Sequence, residues 1–202
     1  MIEELDYWQK RKEDDERRDW RTGEDTWVEE YWASVNHPHR KLIVDAIKDI
    51  EFGSLLEVGA NCGCNIAYIK QELPKERKYL AVDVSPCALA FGMKRLPDVK
   101  FMNCPLLELD FIKPFDIVLA DAVLMYIKDI DKAMDILQNI AKKAIVIVDW
   151  KADTETIQHG HYTRNYKDLL EKRGFQVEEI KIDKDYWPNE KWSTIGHLWI
   201  AK

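Results

Sequence analysis

From residue 54 onward, short apolar runs alternate with longer segments whose apolar residues recur at helical spacing. The apolar runs are LLEV at 55–58, LAVD at 80–83, VKFM at 99–102, DIVL at 116–119 and AIVIV at 144–148. The segments NIAYIKQEL, CALAFGMKRL and IDKAMDILQNIAKK lie between them. Strands that alternate with helices of this length need crossover connections, so the pattern predicts a mostly parallel sheet with helices on both faces.

Both ends of the chain depart from this alternation. Before residue 54, aromatic residues lead into the amphipathic run KLIVDAIKDI, which predicts an N-terminal helical cap over residues 1–40 and an α/β domain over residues 41–202. After Trp150, a loop with two histidines precedes the predicted helix RNYKDLLEKRG, and FQVEEIKID and TIGHLWIAK predict a strand pair closing one edge. The expected fold is a Rossmann-like, doubly wound sheet of about seven strands.

The composition narrows the class of protein. Of the 202 residues, 46% are hydrophobic and 33% are charged, which is typical of soluble globular chains. The net charge of -7 disfavours nucleic acid as a partner, because binding to phosphates needs clustered cations. The sequence has no apolar leader after a basic start and no run near the roughly 18 apolar residues that cross a bilayer. We therefore expect a cytoplasmic protein that does not bind membranes.

The four cysteines bear on metal and redox chemistry. Cys62 and Cys64 are one residue apart, where a mutual disulfide is strained, and no secretory signal favours oxidation. The spacing of these two residues with Cys87 and Cys104 also differs from that of paired CxxC zinc ligands. We expect four reduced thiols and no bound metal.

The loop that follows the first strand reads EVGANCG at 57–63. In a doubly wound sheet this loop lies at the carboxyl edge, where ligands bind. It departs from the dinucleotide fingerprint GxGxxG, because Asn61 stands at the second glycine, where the backbone approaches a pyrophosphate. Glu57 adds a carboxylate beside the same crevice. Both features disfavour a pyrophosphate and favour a cationic or zwitterionic ligand.

Asp83 ends the second predicted strand, about twenty residues beyond Gly63. At this position of the fold, a carboxylate accepts hydrogen bonds from the hydroxyls of a ribose. The two strand ends together predict a site for a nucleoside with a positively charged tail.

These residues resemble class I S-adenosylmethionine-dependent methyltransferases over roughly residues 40–202. The glycine loop resembles the family's first motif, Asp83 its ribose-binding acid, VKFMNCPLLEL its third strand and adenine loop, and FDIVLADAVLMYI its fourth strand. RGFQVEEIKID and GHLWIAK resemble its sixth and seventh strands, which implies a reversed C-terminal edge strand. A narrower resemblance, carried by Glu-Val-Gly-Ala-Asn and Val-Leu-x-x-Ile, is to methylases associated with pseudaminic acid biosynthesis.

The resemblance implies S-adenosylmethionine as cofactor and S-adenosylhomocysteine as product. It implies cofactor-binding residues along the carboxyl edge of the sheet: Glu57, Gly59, Ala60, Asn61, Gly63, Asp83, Val84, Ser85, Asn103, Cys104, Pro105, Leu106, Asp121 and Ala122. We add Arg40 as a partner for the methionine carboxylate and Trp32, with Trp27 and Tyr31, as an aromatic lid. An exposed helix start is the alternative for Arg40, and helix packing is the alternative for the aromatic residues.

Two positions differ from the family. The family has glycine where Asn61 stands and an adenine-binding acid where Pro105 stands. Adenine recognition therefore falls to the backbone at 104–106, to Asn103 or to Glu108.

Candidate catalytic residues lie after the fourth and fifth strands. Methyl transfer from a sulfonium needs alignment and exclusion of water, and a base assists hydroxyl acceptors. We expect His159, His161 and Tyr126 to lie over these strand ends and to contact the acceptor or its proton. An exposed loop position is the alternative for the histidines, and packing is the alternative for Tyr126.

The predicted function is methyl transfer from S-adenosylmethionine to a small-molecule acceptor, through oxygen or nitrogen. A sugar or sugar nucleotide as acceptor follows only from the narrower resemblance, and Trp187, Trp192 and Tyr186 are candidates for an apolar acceptor pocket. A peptide acceptor is a variant of this prediction. A non-catalytic binding module of the same fold is one alternative, and a nicotinamide-dependent oxidoreductase, which Asn61 and Glu57 disfavour, is another.

Overall fold

Seven strands form the central sheet of the computed structural model, which describes residues 8–11, 26–158 and 160–202. They are β1 Ser54–Val58, β2 Lys78–Asp83, β3 Lys100–Asn103, β4 Phe115–Asp121, β5 Ala141–Trp150, β8 Val177–Lys181 and β9 Gly196–Ala201. β6 Thr156–Gln158 and β7 His161–Thr163 form a separate antiparallel hairpin. The order across the sheet is β3-β2-β1-β4-β5-β9-β8.

Helices cover both faces of this sheet. Those from residue 26 onward are α1 Trp27–Ala33, α2 His39–Ile47, α3 Cys64–Glu72, α4 Pro86–Arg95, α5 Ile130–Ile140, α6 Tyr166–Glu171 and α7 Glu190–Ile195. Two 3-10 helices, Leu106–Phe111 and Leu124–Tyr126, follow β3 and β4.

The strand directions confirm the expected fold class. Strands β1 to β5 pair in parallel, and each of the five apolar runs is a strand. β9 pairs antiparallel with both β5 and β8. The reversed strand therefore lies one position inside the edge, because it is inserted between β5 and β8. The edge itself is β8, which runs in the same direction as β1.

Alternation along the buried strands sends side chains into two apolar layers, one on each face of the sheet. In β1, Leu55 joins the layer that contains Ile43 of α2, whereas Leu56 joins the layer that contains Leu137 of α5. α5 carries a strongly amphipathic sequence, since it buries Ala133, Leu137 and the other residues of one stripe. These layers hold the strand ends, and thus the loops after them, in fixed positions.

α1 closes over the glycine loop. A capping box begins the helix: the Thr26 N–H donates to Glu29 Oε2 at 3.0 Å, and the Glu29 N–H donates to Thr26 Oγ1 at 3.4 Å. Trp27 packs in one cluster with Cys62 and Cys64. Of the expected N-terminal cap, residues 1–7 and 12–25 lie outside the described residues, and the domain boundary at residue 40 stays a prediction.

The β6–β7 hairpin corrects the expectation of a loop after β5. Each of its strands has 3 residues, which is too short for alternating hydrophobicity to be recognised in a sequence. The hairpin places His161 and Tyr162 beside the carboxyl ends of β4 and β5, because Lys151 bridges to Arg164 immediately after β7.

Candidate active site

The carboxyl ends of β1, β2 and β4 border a cavity of about 910 Å³. These strands are parallel neighbours, so the loops that follow them open at the same edge of the sheet. Many of the expected site residues line this cavity: Gly59, Asn61, Asp83, Val84, Cys104, Pro105, Leu106, Asp121, Ala122 and Tyr126. Glu108, one of the alternatives for adenine recognition, lines it too.

Other expected cofactor residues support the loops behind the cavity lining. Ser85 is buried, and its hydroxyl accepts from the Ala88 N–H at 3.3 Å as the N-cap of α4. Asn103 donates through Nδ2 to the carbonyl of Asp83 at 3.0 Å. The Ala60 N–H donates to the carbonyl of Val82 at 3.0 Å, and Gly63 is the N-cap residue of α3. Direct contact of these residues with a cofactor stays a prediction.

Backbone conformation explains the glycines of the first loop. Gly59 has a φ of 70°, and a Cβ added there would lie 2.6 Å from the Cβ of Val123. Asn61 also adopts a left-handed conformation, with φ of 51°, which asparagine tolerates better than most residues. Its Oδ1 accepts from the Cys62 N–H at 2.8 Å. The asparagine that departs from the fingerprint therefore stabilises the turn with its own side chain.

Asp83 is held in place by backbone groups on both sides. Its Oδ2 accepts from the Asn61 N–H at 2.7 Å, and its Oδ1 accepts from the Ser85 N–H at 2.8 Å. Burial raises the pKa of this carboxyl, and the backbone hydrogen bonds offset part of the rise. Asp83 thus joins the first loop to the end of β2 and presents a fixed acceptor to the cavity.

Two further carboxyl side chains, Glu57 and Asp121, lie at the ends of β1 and β4. Asn65 Nδ2 donates to Glu57 Oε1 at 2.7 Å and to Asp121 Oδ2 at 2.8 Å. The other oxygens, Glu57 Oε2 and Asp121 Oδ1, are buried and have no hydrogen-bond partner among the described residues. Burial raises the pKa of Glu57 well above its usual value. Two such oxygens are suited to a ligand that donates hydrogen bonds, such as an ammonium group.

Two histidines extend this polar network, and the sequence interpretation assigned neither to the site. The Nε2 of His39 lies 3.0 Å from Asp121 Oδ2, and its Nδ1 lies 2.5 Å from the Nδ1 of His37. Burial raises the pKa of Asp121, but His39, Asn65 and Arg40 outweigh it, so the pKa lies below its usual value. Burial, with His39 and Arg40, lowers the pKa of His37 to about 4. Only the His-Pro-His sequence at the start of α2 marks these residues in the sequence, and it carries no sign that His39 pairs with Asp121.

Arg40 and Trp32 lie behind the cavity lining. Arg40 is buried, and its Nη1 donates to the carbonyl of Ser34 at 2.5 Å, so the alternative of an exposed helix start is wrong. Trp32 packs on α4, with its ring 6.2 Å from that of Phe91. In α1 it is Tyr31 that lines the cavity.

The acceptor candidates lie on the opposite side of the cavity from Asp83. Tyr126 lines the cavity, and its ring centre is 4.9 Å from that of His161. The His161 ring also lies 5.3 Å from the ring of Trp150 at the end of β5. The structure thus brings Tyr126 and His161 together. His159 lies outside the described residues.

The C-terminal tryptophans occupy another position. Trp187 and Trp192 stack on each other at 3.9 Å, and the ring of His39 lies 4.2 Å from that of Trp187. Neither tryptophan lines the cavity, and Tyr186 does not line it either. These aromatic rings pack behind the His39–Asp121 pair, so an acceptor pocket built from them is not supported.

The four cysteines carry free thiols. The sulfurs of Cys62 and Cys64 are 3.6 Å apart, and the hydrogen bond between them, with burial, raises the pKa of Cys62. Within the described ranges, no group of three or more metal-binding side chains is found. A helix long and apolar enough to cross a membrane is likewise absent from the described part of the chain.

Comparison with known proteins agrees with this geometry. Residues 56–144 match the family model described as a methyltransferase domain, which spans β1 to the start of β5. This segment is therefore similar to a methyltransferase domain. The match covers the glycine loop, Asp83 and Asp121. A search of curated proteins gives no significant match to the chain.

Solved structures share the fold over most of the chain. Phosphoethanolamine N-methyltransferase 2 of Haemonchus contortus, with S-adenosyl-L-methionine, has a TM-score of 0.72 at 16% identity, over 98% of this chain and 59% of that chain. Magnesium protoporphyrin IX methyltransferase of Synechocystis PCC 6803, with bound SAM, has a TM-score of 0.67 at 14% identity, over 99% of this chain and 95% of that chain. An O-methyltransferase of a trans-AT PKS multienzyme of Brevibacillus brevis, with S-adenosyl-L-homocysteine, has a TM-score of 0.68 at 12% identity, over 87% of this chain and 75% of that chain.

Proposed function

We propose that this protein transfers a methyl group from S-adenosylmethionine to a small-molecule acceptor. The observation that carries the proposal is the cavity at the carboxyl ends of β1, β2 and β4, which has a fixed carboxylate, Asp83, on one side. Asp121 lines another side, and Glu57 lies behind the lining; each has one buried carboxylate oxygen without a hydrogen-bond partner among the described residues. A zwitterionic nucleoside fits both features, whereas a pyrophosphate fits neither.

Each part of the cofactor has a candidate partner. Asp83 would accept hydrogen bonds from the ribose hydroxyls, and Glu57 with Asp121 would accept them from the methionine ammonium group. The backbone at 104–106 and Glu108 would contact the adenine, since these residues line the cavity beside β3. When bound, S-adenosylmethionine supplies a methyl group that its sulfonium already activates.

The protein's own part in the reaction is then to align the acceptor and to handle its proton. Tyr126 lines the cavity and His161 packs against it, so this pair would orient an acceptor hydroxyl or amine. A hydroxyl acceptor benefits from a base at this position, and His161 is the candidate. The stacked Trp187 and Trp192 do not enter this scheme.

The class of acceptor is inferred from other observations than the cofactor contacts. Small-molecule transfer, through oxygen or nitrogen, is favoured by a cavity of about 910 Å³, which is of the size that small ligands occupy, and by the chain's net charge of -7, which disfavours nucleic acid. A sugar or sugar-nucleotide acceptor is proposed only from the sequence resemblance to methylases of pseudaminic acid biosynthesis, which the comparisons do not support. The structural relatives named above act on acceptors of several classes.

Calorimetric titration with S-adenosylhomocysteine tests the cofactor proposal. We expect micromolar binding, about -8 kcal/mol, and no binding of NAD. Asp83→Ala should weaken S-adenosylhomocysteine binding at least tenfold, about 1.4 kcal/mol, because the ribose loses its acceptor.

Asp116→Ala is the matched control for that titration. Asp116 also accepts a hydrogen bond from a backbone N–H, that of Gly53 at 2.7 Å. It lies at the amino end of β4, away from the cavity at the carboxyl ends, so binding should not change. Binding of NAD, or no binding of either nucleoside, would overturn the proposal. Binding without methyl transfer to any acceptor would instead favour the non-catalytic module.

A further inference from the structure

A buried arginine lies behind the acceptor side of the cavity. Arg164 follows β7, and its guanidinium donates to the carbonyl of Leu124 at 3.0 Å and to the carbonyl of Ile127 at 2.8 Å. Its Nε donates to Glu155 Oε2 at 2.5 Å. Leu124 is the first residue of the 3-10 helix Leu124–Tyr126 and Ile127 follows its last residue, so the arginine holds this turn at both ends.

A second buried ionisable residue holds the middle of the same turn. The Met125 N–H donates to Asp149 Oδ2 at 3.0 Å, and the Trp150 N–H donates to Asp149 Oδ1 at 2.7 Å. Asp149 is fully buried near the end of β5. Side chains from β5 and from the residue after β7 therefore fix three backbone groups of one short turn.

This turn forms part of the cavity wall. Tyr126 and Ile127 line the cavity, and the Tyr126 ring contacts His161 of β7. The Arg164 guanidinium also stacks 4.2 Å from the ring centre of Tyr162, which is another lining residue. Arg164 thus joins the turn after β4 to the β6–β7 hairpin, the two elements that carry the candidate acceptor residues.

The chemistry of the contact requires arginine. A buried cation is unfavourable unless hydrogen bonds satisfy it, and here the donors go to the two elements of the wall. A planar guanidinium reaches two carbonyls and a carboxylate at once, whereas a lysine ammonium is a single point of charge. An apolar side chain of similar volume would fill the space without directing the turn.

We propose that Arg164 is a positioning residue for methyl transfer, which holds the Leu124–Tyr126 turn and the hairpin so that Tyr126 and His161 meet at the acceptor. The inference rests on the proposed function. It assigns to Arg164 no contact with cofactor or acceptor, only the placement of residues that make such contacts.

Fluorine NMR of protein labelled with 3-fluorotyrosine tests the placement without any ligand. The Tyr126 resonance is assigned with Tyr126→Phe and then observed in Arg164→Gln and Arg164→Lys. We expect the resonance to shift or broaden in both variants, because neither side chain spans the two carbonyls. The Tyr162 resonance is not diagnostic, because its ring touches the guanidinium directly. The Kd for S-adenosylhomocysteine should stay within threefold of the wild-type value.

Arg173→Gln is the matched control. Arg173 also bonds a carbonyl and carboxylates, of Leu169, Asp131 and Asp135, but it joins α5 to α6 away from the cavity. Its loss should leave the Tyr126 resonance in place. A Tyr126 resonance that is unchanged in both Arg164 variants, or equally changed in Arg173→Gln, would overturn the proposal.

Turnover separates positioning from general stability. With the acceptor that the wild type methylates, Arg164→Lys should lower kcat more than tenfold and leave the KM for S-adenosylmethionine within threefold. An unchanged kcat contradicts the inference. Failure of the proposed function gives a different result, since the wild type would then not bind S-adenosylhomocysteine.

Discussion

At the scale of single residues, the loop after β1 depends on which side chains a positive φ permits. Gly59 and Asn61 both have positive φ, but only at Gly59 does a neighbouring side chain exclude a Cβ. Asn61 instead uses its side chain to accept the next N–H. The loop is therefore specified by one steric requirement and one hydrogen bond, and both act where the cofactor is proposed to bind.

Gly59→Ala should lower the free energy of unfolding by more than the cost of placing alanine at a positive φ. Gly160 has a φ of 85° with no atom within 4 Å of an added Cβ, so Gly160→Ala isolates the conformational cost, about 1–2 kcal/mol. At Gly59, overlap with Val123 adds about 1–3 kcal/mol. Urea unfolding of both variants measures the difference. Equal losses would show that Val123 moves aside without cost.

Local sequence predicts the first loop and Asp83, because strand ends and glycine positions follow from short patterns. It does not predict the pairing of His39 with Asp121, which are 82 positions apart, or of Arg164 with Leu124, which are 40 apart. Such pairs depend on which helix packs over which strand end, and single residues in one sequence carry no sign of it. Arg164 was accordingly absent from the expected site.

At the scale of elements, long periodic segments were predictable and short ones were not. β1 to β5 and α5 repeat their apolar positions often enough to be recognised, whereas the 3-residue strands of the hairpin do not. The position of β9 inside the edge also follows from pairing rather than from its own pattern. The hairpin nevertheless carries His161, a candidate acceptor residue, and Tyr162, which lines the cavity.

Thr26→Ala should loosen α1 by removing its capping box, at a cost of about 1 kcal/mol. Because Trp27 of α1 packs with Cys62 and Cys64, both of which are buried, a looser helix should expose these thiols more often. Their reaction with a thiol reagent should become several-fold faster. Asn189→Ala is the control, since it removes a cap from α7, and faster thiol reaction there too would contradict the account.

At the scale of the whole molecule, buried carboxyls couple the site to stability. Glu57, Asp83, Asp121 and Asp149 are held at the carboxyl edge of the sheet by hydrogen bonds from neighbouring groups. A carboxyl whose pKa is raised in the folded state favours folding under more acidic conditions. The arrangement that suits a cationic ligand thus makes stability depend on pH.

Asp149 gives this dependence a measurable form. Its pKa is raised to about 7, because burial, with a smaller contribution from Asp121, outweighs the lowering by the Trp150 and Met125 hydrogen bonds and by Arg164. Between about pH 4 and pH 7 the unfolded chain has lost the proton and the folded chain retains it, so stability falls as pH rises, by up to about 4 kcal/mol. Relative to Asp149→Asn, the wild type should therefore be more stable at pH 5 than at pH 8. Urea unfolding at both pH values measures this difference.

Asp116→Asn is the control and should show no such difference between the two pH values. The Gly53 hydrogen bond lowers the pKa of Asp116, so its titration is complete below pH 5. A wild-type advantage over Asp149→Asn that is equal at both pH values would mean that folded Asp149 is ionised throughout, and that the Leu124–Tyr126 turn is held by a full negative charge.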